Sequence, residues 1–107
     1  APSPEHLLLA AVANCLSASL LFALRKFKQN ATNIKTTISC TVDRNENKRM
    51  RVTQITATIN LGKQATEFEN LDRILAQFEE FCTVSQSVQA GIPIQTSVLD
   101  SNGVVLK

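Results

Sequence analysis

The chain reads as a single α+β domain spanning residues 1–107. Three observations predict that class. A long uncharged run rich in Leu and Ala opens the chain. Two alternating apolar and polar segments follow, joined by a polar turn. After them come apolar residues at helical spacing and a short closing strand. A chain of this length buries roughly two thirds of the surface its unfolded form exposes, enough for one core.

Residues Leu7 to Leu24 carry no charge. Eighteen such residues meet the length of a membrane span. Asn14, Ser17 and Ser19 interrupt the run, much of it is Ala, and Glu5 stands where a secretory signal would carry basic residues. A buried helix of a domain outside the membrane fits better. Ser3 suits its N-cap and Pro4 its first position. Glu5 falls in the first turn and Arg25, Lys26 and Lys28 in the last, as the helix dipole favours. The helix is apolar on nearly every side, so it needs cover on nearly every side. A small sheet covers one face. A second copy of the chain is expected on the other, which makes a homodimer.

From Ile34 to Asp43 the residues alternate, with Ile34, Thr36, Ile38, Cys40 and Val42 on one side. This is a half-buried strand. Asp43 to Lys48 supplies a turn. The next strand, Arg49 to Leu61, changes parity between Val52 and Ile55, which predicts a bulge at Thr53 or Gln54. A helix from about Phe68 to Phe81 follows, with Leu71, Ile74, Leu75, Phe78 and Cys82 on one face. A second short helix starts at Thr83 or Ser85 and ends by Gly91. The last strand, Ile92 to Leu99, carries Pro93 as an edge or strand-start signal. Asp100 to Gly103 turns the chain, and Val104 to Leu106 pair back.

Charge and composition remove several functions. Net charge is +2, and there is no Tyr or Trp, so neither a nucleic-acid footprint nor a base-stacking platform is present. The basic groups at Arg25–Lys28 and Lys48–Arg51 read as a solvated helix end and a solvated hairpin. Three cysteines at scattered spacing do not form a disulfide scaffold, and one His does not complete a zinc pattern with them. The three glycines are isolated, so there is no phosphate-binding loop. A reducing, cytoplasmic location suits this cysteine usage.

The cysteines remain. Cys40 is explained by its place on the inward face of a strand. Cys15 lies mid-helix beside Val12, Leu16 and Ser19; it is either a small core residue or a reactive thiol whose charge is stabilised from elsewhere in the fold. Cys82 ends one helical stretch and precedes another. It is either an apolar helix-face residue or a thiol at a helix start. The lone His6 has no visible partner and is expected to be partly exposed.

Two segments carry a family resemblance. Pro4-Glu5-His6-Leu7-Leu8-Leu9-Ala10-Ala11-Val12-Ala13-Asn14-Cys15 resembles the first motif of the OsmC/Ohr family, the osmotically inducible protein C and organic hydroperoxide resistance proteins. Phe81-Cys82-Thr83-Val84-Ser85-Gln86-Ser87-Val88 resembles the second. The hairpin between them and the closing Gly91-Ile92-Pro93-Ile94 segment match the family order. The resemblance implies an OsmC-like intertwined homodimer, with central apolar helices covered by antiparallel sheet. It also implies a thiol peroxidase in which Cys15 attacks a hydroperoxide, becomes a sulfenic acid and is resolved by Cys82 as a disulfide. An external dithiol then restores both thiols, with no metal, flavin or other cofactor.

The sequence departs from the family pattern in two places. The family's strands before the first helix, with an arginine that helps stabilise the thiolate, have no counterpart in this chain. Cys82-Thr83 stands where the family often has Cys-Pro, with Thr expected to cap the following helix. Glu5 matches the motif glutamate, yet it precedes Cys15 by ten residues, roughly 15 Å of helix. It therefore either acts at the site across the dimer interface or simply favours the helix start. The alternative to the peroxidase is a non-catalytic dimeric binding module on the same fold, its cysteines kept as packing. Contact between Cys15 and Cys82 separates the two.

Overall fold

A computed structural model describes residues 3–30 and 33–107. Helix α1 runs over Pro4–Lys26. Its start is the expected one, with Ser3 as N-cap and Pro4 in the first turn. The Ser3 hydroxyl accepts the His6 N–H at 3.2 Å, and the Ser3 N–H donates to His6 Nδ1 at 3.4 Å. His6 thus has a partner that the sequence reading did not see, in a capping box where the imidazole replaces the usual carboxylate or amide. Lys28 lies past the helix, at φ 59, so only Arg25 and Lys26 lie in the last helical turn.

Strands β1 (Lys35–Arg44) and β2 (Met50–Asn60) form an antiparallel hairpin. Asn45 closes its turn, its side chain accepting the N–H groups of Asn47 and Arg49. Thr41 pairs with Gln54 and Val42 with Val52, leaving Thr53 as the extra residue on β2. The bulge therefore sits where the parity change placed it. It turns Met50 and Val52 to the same face as Ile55, Ala57 and Ile59 despite the break in alternation.

The expected helix from Phe68 is shorter. A 3₁₀ turn covers Ala65–Glu67, Phe68 is extended, and Asn70 is left-handed at φ 59. Helix α2 starts only after it, over Leu71–Gln77, then tightens into a 3₁₀ turn at Phe78–Phe81. Helix α3 covers Thr83–Gln89. Strand β3 covers Ile94–Leu99 at an edge, as Pro93 implied. Leu99 bridges back to Val105, and Leu106 N–H donates to Val98 C=O.

The architecture is α+β, as expected, but the sheet is mixed rather than antiparallel. Its order is β1-β2-β3, and β3 runs parallel to β2. The helical segment between them carries the chain back to the starting end of β2, as a parallel pair demands. This crossover is what brings α3 beside α1.

The core lies between α1 and the sheet. Leu9, Val12, Leu16, Leu20 and Leu24 form the buried stripe of α1. They meet Ile55, Ala57 and Ile59 of β2 and Val98 of β3, while Ile74, Leu75 and Phe78 close one side. Each fully buried leucine contributes about 2 kcal/mol. Ser17 is held without cost to the core, since its hydroxyl donates to Ala13 C=O and pairs with Thr36 Oγ1 at 2.6 Å, tying α1 to β1. Lys107 seals the end of α2, pairing with Glu79 at 3.1 Å, bonding Leu75 C=O and lying over the Phe78 ring. The opposite stripe of α1, with Leu7, Ala11, Asn14, Ala18 and Phe22, is exposed.

Candidate functional site

Cys15 sits at the middle of α1, half-buried at the border of its buried and exposed stripes. Cys82 is fully buried, in the single extended step between the 3₁₀ turn and α3. The crossover sets the start of α3 against α1, so the two thiols lie close enough for each to shift the titration of the other. All three cysteines are free thiols. Cys40 stays apart, half-buried on the inner face of β1 opposite Ile55.

The two thiols are driven in opposite directions. Burial pushes the Cys15 thiol up, but hydrogen bonds outweigh it and hold it below the ordinary thiol range. They come from the Cys82 thiol, the N–H groups of Val84 and Ser85, and the Ser19 side chain. The Val84 N–H lies 3.4 Å from Cys15 Sγ. Burial pushes Cys82 up as well, and its bond to Cys15 raises it further by engaging its proton. Cys15 is thus the first of the pair to ionise, and Cys82 keeps its proton to higher pH.

Sequence reasoning saw the helix start after Cys82 but assigned its anion-stabilising groups to Cys82 itself. The fold turns the Val84 N–H on Cys15 instead and shares the Ser85 N–H between the two sulfurs. Cys82 is the N-cap residue of α3. Thr83 is not the cap that was expected. The 3₁₀ turn runs up to Cys82, so Thr83 becomes the first helical residue, a position that also suits proline.

Above the sulfur lies an open cleft of about 360 Å³, lined by Cys15, Ala18, Ser19, Phe22 and Phe81. Both phenylalanines are exposed. Their rings make the walls apolar, with Ser19 as a polar group beside the thiol. Neither phenylalanine was singled out in the sequence. Phe22 falls seven residues after Cys15, two helical turns on, which is the signal that places both on one face of α1. Glu5 is exposed in the first turn of the same unbroken helix, ten residues from Cys15. It does not meet Cys15 within one chain. Among the described residues, no group of three or more His, Cys, Asp or Glu side chains converges to hold a metal ion.

The sequence profile described as "OsmC-like protein" matches residues 1–97. The chain belongs to the OsmC-like family. Solved structures carry the same OsmC-like fold. An organic hydroperoxide resistance protein from Elizabethkingia anophelis superposes with a TM-score of 0.76 at 16% identity, over 94% of this chain and 69% of its own. The organic hydroperoxide resistance protein OhrB of Bacillus subtilis gives 0.73 at 15%, over 90% and 69%. An OsmC-like protein from Mycoplasma pneumoniae gives 0.74 at 14%, over 92% and 71%. At these identities the likeness is one of fold. No curated protein matches the chain in sequence.

Proposed function

We propose that this OsmC-like chain is a thiol-dependent peroxidase, with Cys15 as the attacking residue and Cys82 as the resolving one. One observation carries the reading. A thiol lowered from its ordinary range opens onto an apolar cleft, with a second thiol, raised from that range, close behind it. A pair kept only for packing needs neither the cleft nor the amide donors.

The chemistry follows from that arrangement. The Cys15 thiolate attacks the terminal oxygen of a hydroperoxide, R–O–O–H. The O–O bond breaks, an S–O bond forms, and the RO⁻ group leaves as the alcohol after taking a proton from solvent. Cys15 is now a sulfenic acid. Cys82 loses its proton and attacks Cys15 Sγ, expelling the oxygen as water and forming the disulfide. An external dithiol returns both sulfurs to thiols by exchange. Phe22 and Phe81 favour a hydroperoxide whose R group is apolar.

The exposed stripe of α1 supports a homodimer in which a second copy covers it, since a helix apolar on both faces buries both. Such a pair offers Glu5 its one route to a site, that of the partner; its other role is a first-turn charge favoured by the helix dipole.

Peroxide consumption with a dithiol reductant tests the reading. The unaltered protein consumes an organic hydroperoxide, Cys15→Ser loses this activity, and Cys82→Ser loses turnover after one equivalent. Equal rates in all three end the catalytic assignment.

A further inference from the structure

Three serines lie on the two helices that carry the cysteine pair, and their hydroxyls are committed differently. Ser17 bonds Ala13 C=O at 2.8 Å and Thr36 Oγ1 at 2.6 Å, on the side of α1 facing the sheet. Ser85 is buried and donates to Cys82 C=O at 3.4 Å. Ser19 differs from both. It lies four residues after Cys15 on α1, so the two side chains stand one above the other on one helix face. Both line the same open cleft, and both are half-buried.

We propose that Ser19 is a catalytic residue, its hydroxyl donating to Cys15 Sγ from the open wall of the cleft while the Val84 N–H donates from the buried side. The inference rests on the peroxidase reading for its catalytic meaning, but its physical content is independent of turnover.

Within the described residues, hydrogen bonds are what hold the Cys15 thiol low. Among the described residues, no charged side chain contributes to the lowered thiol; the groups facing it are the Cys82 thiol, the Val84 and Ser85 amides, and Ser19. The first three come from the start of α3 and hold one side of the sulfur. Ser19 is the donor on the other wall, where a peroxide enters. Its hydroxyl rotates freely, so it bonds the thiolate before the reaction and the sulfenic oxygen after it. Neither amide has that freedom.

The test is the titration of Cys15, followed by iodoacetamide labelling of its peptide as pH is raised, in the unaltered protein and in Ser19→Ala, Ser19→Thr and Ser17→Ala. Loss of one donor from the sulfur shifts the labelling curve of Ser19→Ala upward by about one pH unit, a tenfold smaller thiolate fraction below it. A more basic thiolate is intrinsically about threefold more nucleophilic. The labelling rate at low pH therefore falls about threefold. Ser19→Thr keeps a hydroxyl and restores the parent curve. Ser17→Ala leaves the curve in place, because that hydroxyl faces the sheet.

An unmoved curve in Ser19→Ala, or an equal shift in Ser17→Ala, overturns the proposal. Labelling needs no peroxide. A protein that consumes no hydroperoxide yet shows the Ser19-dependent shift ends the peroxidase reading and leaves the Ser19–Cys15 bond established.

Discussion

In the proposed mechanism Cys82 has two roles, as hydrogen-bond donor to Cys15 and as the thiol that later attacks it. Two substitutions separate them. Cys82→Ala removes both. Cys82→Ser removes the attacking sulfur and keeps an O–H donor in nearly the same place. The size of the first effect follows from the contact. A hydrogen bond to a charged group is worth about 1.5–3 kcal/mol, and a thiol is a weak donor, so the low end applies. At about 1.4 kcal/mol per unit, Cys82→Ala raises the Cys15 thiol by about one unit. The Val84 and Ser85 amides and the Ser19 hydroxyl remain, so the shift stops there. Thiolate absorbance near 240 nm against pH reads it, with Cys40→Ser in every sample to remove the third thiol. Cys82→Ser titrates like the parent, and Cys82→Ala titrates higher. After treatment with one equivalent of an organic hydroperoxide, both fail to form the disulfide, and both hold Cys15 as a sulfenic acid that dimedone traps. Identical titrations for Ala, Ser and parent refute the claimed contact.

Other outcomes follow from the same geometry. Because Cys15 is lowered and Cys82 raised, labelling rises first at Cys15 and only at higher pH at Cys82; the reverse order in peptide-resolved alkylation contradicts the assignment. Leu20→Ala deletes a fully buried side chain at the centre of α1 and costs about 2–5 kcal/mol, read as a lower urea midpoint. Gly62→Ala places a Cβ 2.6 Å from Asn33 C=O at φ +75, which costs about 2 kcal/mol or more by the same measurement. Leu7→Lys with Ala11→Lys charges the exposed stripe of α1; the proposed homodimer then gives way to a monomer in light scattering, with the α1 helix retained by circular dichroism.

Much of this fold was legible because its signals are local. Ser3-Pro4 marks the start of α1, the alternation from Ile34 gives β1, and the parity change after Val52 gives the bulge. What was not legible is set by non-local pairing. Nothing in Ile94–Leu99 says whether it runs parallel or antiparallel to β2; the length of chain between them and the packing of α2 and α3 decide. The late start of α2 depends on Asn70 adopting a left-handed conformation, which Asn tolerates but does not announce. The site divides the same way. Cys15 and Cys82 were visible as motif residues, and Ser19 as a helix neighbour. The donors that lower Cys15 are main-chain amides of Val84 and Ser85, which no side-chain pattern encodes, and they serve a sulfur on another element.

The two site cysteines lie near opposite ends of the chain, and only the crossover joins them. Joined covalently, they close a loop that takes in most of the sequence. Such a loop removes a large share of the unfolded chain's freedom, worth about 4 kcal/mol in the chain-entropy picture. In the proposed cycle the oxidised protein is therefore the harder one to unfold, and each reducing step returns a more fragile molecule. The energy that the disulfide lends to the fold also weighs against its reduction. The partner dithiol needs enough reducing power to overcome the folding of the whole domain as well as the bond itself.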